Sequence, residues 1–257
     1  MTISLNEHDL HALNRKLLAY LRAAAERRPL KRRAGPFLAT FATDPNIYLN
    51  YAMPDDDADP SPDDVAALIA LFEAYGRKPR LEYIPAAAPK VEAALLGAGF
   101  IAEARVPVMH CTPDMAVHAP ATQDIAVFLA TEMPDLIAVD EAQAEAYGAP
   151  PRGPGGHKRA LRAGGLVAGA RDMATGAVIG GGVAMPPHAG IGEIAGIGVH
   201  SGFRRRGAAG ALTALLAREA FARGFDLLWL TPGGAEAERI YARAGFAAVS
   251  EALHISR

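Results

Sequence analysis

The chain has 257 residues, of which 51% are hydrophobic and 21% charged, with a formal net charge of −2. That composition describes a globular protein of one large domain or two of about 120 residues, and it excludes the basic surplus of a nucleic-acid binder. A single cysteine excludes an internal disulfide and no apolar run is long enough to span a bilayer, so the expected compartment is the cytoplasm and no membrane partner is expected.

At the N-terminus Glu7, His8 and Asp9 stand among Leu5, Leu10 and Leu13, the pattern of an amphipathic helix and not of a signal peptide. The basic run Arg27, Arg28, Lys31, Arg32 and Arg33 reads as a solvated helix end whose cations complement the C-terminal dipole. Strands are predicted near Pro36–Phe41 and Ile47–Met53, followed by the acidic run Asp55, Asp56 and Asp57 as an exposed loop. A helix over about Asp63–Tyr75, a strand at Leu81–Ile84 and a short Ala-rich helix closing on Ala98-Gly99-Phe100 come next. Cys111 reads as a small core residue and not a nucleophile. His157, His188, His200 and His254 lack ligand-like spacing and cysteine partners, so no metal site is expected, although His200 adjoins the segment that follows.

The most informative stretch runs from Ile197 to Leu212. A short apolar strand leads into a turn, then Arg204, Arg205 and Arg206, then Gly207-Ala208-Ala209-Gly210 opening a long helix. Those small residues leave the first-turn amides uncovered at the positive end of the helix dipole, where an anion, above all a diphosphate, is the natural partner. Three arginines at that end oppose the dipole unless an anion lies between them and the amides; a plain basic surface turn is the alternative. The pattern is neither a Walker loop nor the dinucleotide fingerprint.

The order Arg204-x-x-Gly207-x-Ala209, after a strand and before a helix, resembles the acetyl-CoA loop of the GNAT superfamily of N-acetyltransferases. The resemblance continues through the helix of about Gly207–Arg223, the strand Leu227–Leu230 and a second helix, roughly Ala235–Arg243. It ends on Glu238-Arg-Ile-Tyr-Ala-Arg-Ala-Gly-Phe246, similar to the family's closing motif, and covers about 121–257, most specifically Glu193–Phe246. It implies an α/β fold on a mixed sheet and acetyl-CoA as cosubstrate. The strand Gly196–Val199, including Ile197 and Gly198, would pair with the pantetheine, and the amide of Val199 or its neighbour would polarise the thioester. It further implies Glu193 as the candidate base and Tyr241 as the acid for the departing thiolate. A solvent-facing Glu193 and a core aromatic at Tyr241 are the alternatives. The family's frequent asparagine seven residues before this tyrosine is here Gly234.

In such folds the region 135–165 holds the helices that cover the acceptor. Here it contains the Gly/Pro-rich run Tyr147–Gly156, either substrate-facing or a plain connection. Glu132, Asp135, Asp140, Glu141 and Glu145 would meet a cationic amine or form a solvated helix face. The order strand, helix, strand, helix, Ala-Gly-Phe occurs in both halves, which predicts a tandem of two GNAT-like folds, 1–115 and 121–257. At the offset between Gly99 and Gly245, the loop Arg204–Ala209 falls on Ala58-Asp-Pro-Ser-Pro-Asp63, Glu193 on Ile47 and Tyr241 on Leu95. The first copy would therefore be degenerate and would shape the acceptor cleft. The expected protein is a monomeric or homodimeric acetyltransferase for a small-molecule or amino-acid-like amine; a non-catalytic acetyl-CoA-binding or structural module is the competing expectation.

Overall fold

The computed structural model describes residues 6–42, 49–117 and 124–257. Ile47, residues 118–120 between the two predicted copies, and 121–123 at the start of the second lie outside them. The chain divides into two compact α/β units, one of residues 1–108 with 249–257 and the other of residues 109–248.

The first unit begins with α1 (Glu7–Glu26), capped by the Asn6 side chain accepting from the Asp9 amide. Its sheet runs β1 (Lys31–Ala34), β2 (Phe37–Thr40), β3 (Tyr51–Pro54), β4 (Arg80–Tyr83). The first three strands pair antiparallel and β3 with β4 parallel. Between β3 and β4 lies α2 (Pro62–Ala74), and α3 (Val91–Gly97) follows β4. Phe37, Met53, Leu68, Phe72, Leu81 and Tyr83 close its core. The basic run begins at the end of α1, where Arg27 is the C-cap, but Lys31, Arg32 and Arg33 lie in β1 and not at the helix end where the sequence reading put them. After Glu26 the chain turns and re-enters as β1, because Arg33 pairs with Asp55 across the sheet while Arg28 lies over the Tyr51 ring. The acidic run Asp55–Asp57 likewise meets Arg15, Arg22 and Arg33 and is not simply solvated.

The second unit carries β6 (Ile125–Leu129), β7 (Leu166–Asp172), β8 (Val178–Ala184) and β9 (Ile191–Val199) in antiparallel succession, then β10 (Leu227–Leu230) parallel to β9. Helices α4 (Met133–Ala146) and α5 (Gly155–Arg162) fall in the region where the sequence predicts them, and α6 (Ala208–Ala222) and α7 (Ala235–Arg243) flank β10. Leu212 and Leu216 of α6 pack with Ile194, Phe225, Leu228 and Leu230 in one core, while Leu136, Val139, Ala160 and Val183 form another with α4 and α5.

In each unit one further strand is supplied from elsewhere in the chain. Met109–Cys111 of β5 (Ile101–Cys111) pair with β10. Leu253–Ser256 of β11 (Ala247–Ser256) pair with β4. The last nine residues thus belong with the first unit and not with 121–257, because Leu253 and Ile255 are fully buried in its core. Among the described residues no helix is long and apolar enough to cross a membrane.

Candidate active site

β9 pairs with β10 only from Ile191 to Glu193, then continues alone on that edge to Val199. Its ladder with β8 is interrupted as well. Gly181 stands opposite Gly198 and Val183 opposite Ala195, so three steps of β9 face two of β8. The extra residue is a bulge at Gly196, whose φ of +63° is the left-handed region that glycine enters without a Cβ penalty. The Met185 amide donates to the Glu193 carbonyl and the His200 amide to the Ile179 carbonyl, so residues 198 and 200 address β8. Ile197 and Val199 then turn their backbone groups to the edge that β10 has left.

Helix α4 reaches this bulge with its last two turns. Gln143 Nε2 donates to the Gly196 carbonyl at 2.6 Å and Tyr147 Oη to the Ile197 carbonyl at 3.0 Å. A Cβ at Gly198 would come within 2.9 Å of Ala146 Cβ and 3.2 Å of the Tyr147 ring, so this glycine permits the close approach. Burial raises the Tyr147 hydroxyl above its ordinary value. Gln143 is itself held by His157 Nε2, 2.9 Å from Oε1. These contacts escaped the sequence reading, which set His157 aside and treated Tyr147 only as the start of a loop. A residue fifty positions from its partner leaves no local signal.

After β9 a short 3₁₀ turn (Ser201–Phe203), capped by His200 Nδ1, leads to the arginines. Two of the three have internal partners. Arg204 donates to the carbonyls of Val199 and Ala146, each at 3.1 Å, and Arg206 pairs with the buried Asp172 carboxylate at 2.9 Å. Arg204 and Arg206 thus brace the turn, and all three arginines are exposed, with Arg205 at the tip. Arg205 at φ +65° and Gly207 at φ +87° take the chain through two left-handed steps into α6, a conformation that turns successive amides inward. Gly207 offers no side-chain cap, so the amides of Ala208, Ala209 and Gly210 keep the open, positive helix end that the sequence predicts.

Glu193 occupies the last rung shared by β9 and β10. Val183 packs with α4 and α5, and its partner Ala195 shares that face; alternation puts Glu193 there too, opposite Gly192 and Ile194. Trp229 is its partner on β10, and His110 is the partner of Trp229 on β5. Glu193, Trp229 and His110 therefore form a row across three strands, with outer Cα atoms roughly 10 Å apart at two strand spacings. Burial lowers the His110 pKa, opposed by the Ala247 carbonyl and by Asp114, so its imidazole is neutral at neutral pH. Tyr241 on α7 packs partly buried against the second unit's core, its ring 6.5 Å from that of Phe246. Burial, and secondarily Tyr147, push its hydroxyl up to about 12, which keeps it protonated and able to donate. Gly234, where the family often has asparagine, begins α7 at φ +148° without a side-chain cap.

The acidic residues of α4 are mostly engaged already. Asp135 holds Arg171, Asp140 accepts from the Gly153 amide, and Glu145 accepts from Ser201 and lies 3.6 Å from His200. These three tie α4 to its surroundings, while Glu132 and Glu141 are exposed.

Residues 136–246 match the acetyltransferase (GNAT) family. Among solved structures, the chain is similar to a GCN5-related N-acetyltransferase from Kribbella flavida, with 22% identity over 95% of each chain and a TM-score of 0.81. A GCN5-related N-acetyltransferase from Sphaerobacter thermophilus shares 23% identity over 70% of this chain and 60% of that one, with a TM-score of 0.58. A tandem GNAT protein from the clavulanic acid biosynthesis pathway shares 14% identity over 98% of this chain and 95% of that one, with a TM-score of 0.60. At these identities the likeness is one of fold. No curated protein matches the chain.

Proposed function

We propose that the chain transfers the acetyl group of acetyl-CoA to the primary amine of a small-molecule or amino-acid-like acceptor. One observation carries the reading: the uncapped start of α6 at Gly207 directly follows a strand whose bulged segment has lost its β10 partner. A diphosphate suits the amides of Ala208–Gly210, and a pantetheine arm suits the β9 edge at Ile197–Val199, where it would meet amides, since the Ile197 and Val199 carbonyls already accept from Tyr147 and Arg204. Arg205 is the loop side chain free to approach a phosphate, with Arg204 and Arg206 supporting the turn.

In this reading the neutral amine attacks the thioester carbon directly. The carbon–sulfur bond breaks as the carbon–nitrogen bond forms, and the amine's surplus proton leaves toward Glu193, directly or through water. The amide of Ile197 or Val199 donates to the developing oxyanion, a contribution of about 3 kcal/mol for one well-placed donor. Tyr241, kept protonated by burial, gives its proton to the departing thiolate.

The tandem reading has support in the first unit. β3, α2, β4 and α3 repeat the order β9, α6, β10 and α7, and α2 begins 146 residues before α6. The start of α2 is closed to a ligand by its own side chains: Ser61 Oγ accepts from the Asp64 amide, and Asp64 accepts from the Ser61 amide and hydroxyl. A degenerate first copy in a cytoplasmic monomer or homodimer is the organisation we propose. Calorimetric titration with acetyl-CoA, then free-thiol release across a panel of amines, tests the function. Affinity no tighter than millimolar overturns it; tight binding with no thiol release on any amine supports the non-catalytic module instead.

A further inference from the structure

We infer that Gln143, oriented by His157, is a positioning residue that aims the Ile197 amide toward the open edge of β9, where acetyl-CoA would present its thioester arm. The inference rests on the acetyl-CoA reading above. Only an N–H can donate to the Gly196 carbonyl, so the 2.6 Å contact identifies the near atom of Gln143 as Nε2. Its Oε1 then faces His157, and the 2.9 Å contact there requires a proton on the imidazole Nε2. Burial lowers the His157 pKa against the Leu136 carbonyl and Asp140, which favours the neutral ring; the Gln143 contact then takes its proton on Nε2 and leaves the buried Nδ1 without a hydrogen-bond partner among the described residues.

The lever is the peptide plane. In a trans peptide the carbonyl and the following N–H point in opposite directions. Holding the Gly196 carbonyl toward α4 therefore turns the Ile197 N–H away from α4. Two further carbonyls of this run have side-chain donors, Ile197 from Tyr147 and Val199 from Arg204. The Val199 peptide shows this opposition of the two groups, since its carbonyl meets Arg204 while its N–H, on His200, returns to the Ile179 carbonyl of β8 at 2.8 Å. Gly196, at φ +63°, is the residue in this run whose backbone has most freedom to turn, so it most needs an external tie. Gln143 supplies the tie from a half-buried position, while the buried His157 keeps its amide from flipping.

Two ligands and four variants test this. Acetyl-CoA reaches both the α6 amides and the bulge; adenosine 3′-phosphate 5′-diphosphate carries the same diphosphate without the pantetheine. Gln143→Glu keeps the side-chain shape but cannot donate to the Gly196 carbonyl. It is expected to weaken acetyl-CoA binding about tenfold, the effect of one lost hydrogen bond, and to leave the nucleotide within twofold of wild type. His157→Leu is expected to shift acetyl-CoA in the same direction, His157→Gln to restore it through a donor near the original Nε2, and the Gln143→Glu/His157→Leu double variant to bind no worse than Gln143→Glu. Should Gln143→Glu fail to fold, Gln143→Asn, one methylene too short, serves with the same expectation. Unchanged acetyl-CoA binding, equal loss for both ligands, or additive single effects overturns the inference. Wild-type protein that binds neither ligand overturns the acetyl-CoA reading itself, and this inference with it.

Discussion

Gly207→Asp separates the anion site at α6 from the stability of the helix that carries it. Gly207 sits at φ +87°, where a non-glycine residue costs about 1–2 kcal/mol and aspartate is among the better tolerated. A carboxylate at the helix N-terminus recovers about 0.3–1 kcal/mol from the dipole. Net destabilisation is thus about 1 kcal/mol, a shift of roughly 2–4 °C in the melting midpoint for a chain of this size. Binding should respond far more. A carboxylate about 6 Å from each of two diphosphate charges costs roughly 0.7 kcal/mol per charge at the dielectric of water and about 2.8 kcal/mol at an effective value near 20. Together that is about 1.4–5.5 kcal/mol, or a loss of roughly 10- to 10⁴-fold in acetyl-CoA affinity. Calorimetry with acetyl-CoA and a thermal melt on the same preparation provide both numbers. Retained affinity in a folded variant would refute the placement of the diphosphate at Ala208–Gly210.

Four further outcomes are expected. Tyr241→Phe should lower turnover by roughly 10²-fold with acetyl-CoA affinity within twofold of wild type, measured by thiol release and calorimetry; an unchanged rate makes Tyr241 a packing residue. Glu193→Gln should reduce kcat/KM by a comparable factor, and a loss under about threefold assigns proton removal to water. Deleting 249–257 strips Leu253 and Ile255 from the first core and should abolish cooperative folding of that unit in a thermal melt; an unaltered melt would contradict the strand's place beside β4. Glu103 is the acid-sensitive tie of the same unit: burial alone would raise its pKa, but Ser256, Lys78 and Arg80 bring it down to about 2. Its folded value lies below the ordinary 4.5, so its contribution is complete above that pH and lost as pH falls through about 2. The gap in melting temperature between wild type and Glu103→Gln should therefore narrow from pH 5 to pH 2, and a constant gap would deny the shift.

Local pattern made the second unit's nucleotide-side elements legible. β10 and α7 begin and end at the predicted residues, and α6 is shorter by one residue at each end. Gly207 and Gly245 both take a positive φ, one before α6 and one after α7. What stayed hidden depends on partners far away in the chain. Arg204 and Arg206 look identical to phosphate ligands in sequence, yet Asp172 lies 34 residues from Arg206 and turns it into a strut. The basic run after α1 fits a helix end by charge alone, until pairing of Arg33 with Asp55 places Lys31, Arg32 and Arg33 in a strand. The pairing of Met109–Cys111 with β10 and of Leu253–Ser256 with β4 leaves no local trace, since each partner lies far away in the chain.

The two helix starts at Pro62 and Ala208 show how one scaffold can lose a ligand without losing the fold. An α-helix leaves its first amides without intrahelical acceptors, and something must satisfy them. At α2 the chain satisfies them itself. Pro62 removes one donor, and the reciprocal Ser61–Asp64 contacts take up others, a capping box that typically contributes about 1 kcal/mol. At α6 the chain forgoes that stabilisation and also accepts left-handed Arg205 and Gly207. Unused capping and backbone strain at one helix, both absent at its counterpart, mark the place where a bound anion would repay them. The expected consequence is unequal ligand stabilisation: acetyl-CoA should protect the amides of 208–211 from hydrogen exchange far more than those of 62–65. Equal protection at both helix starts would mean that the open cap at α6 is unrelated to binding.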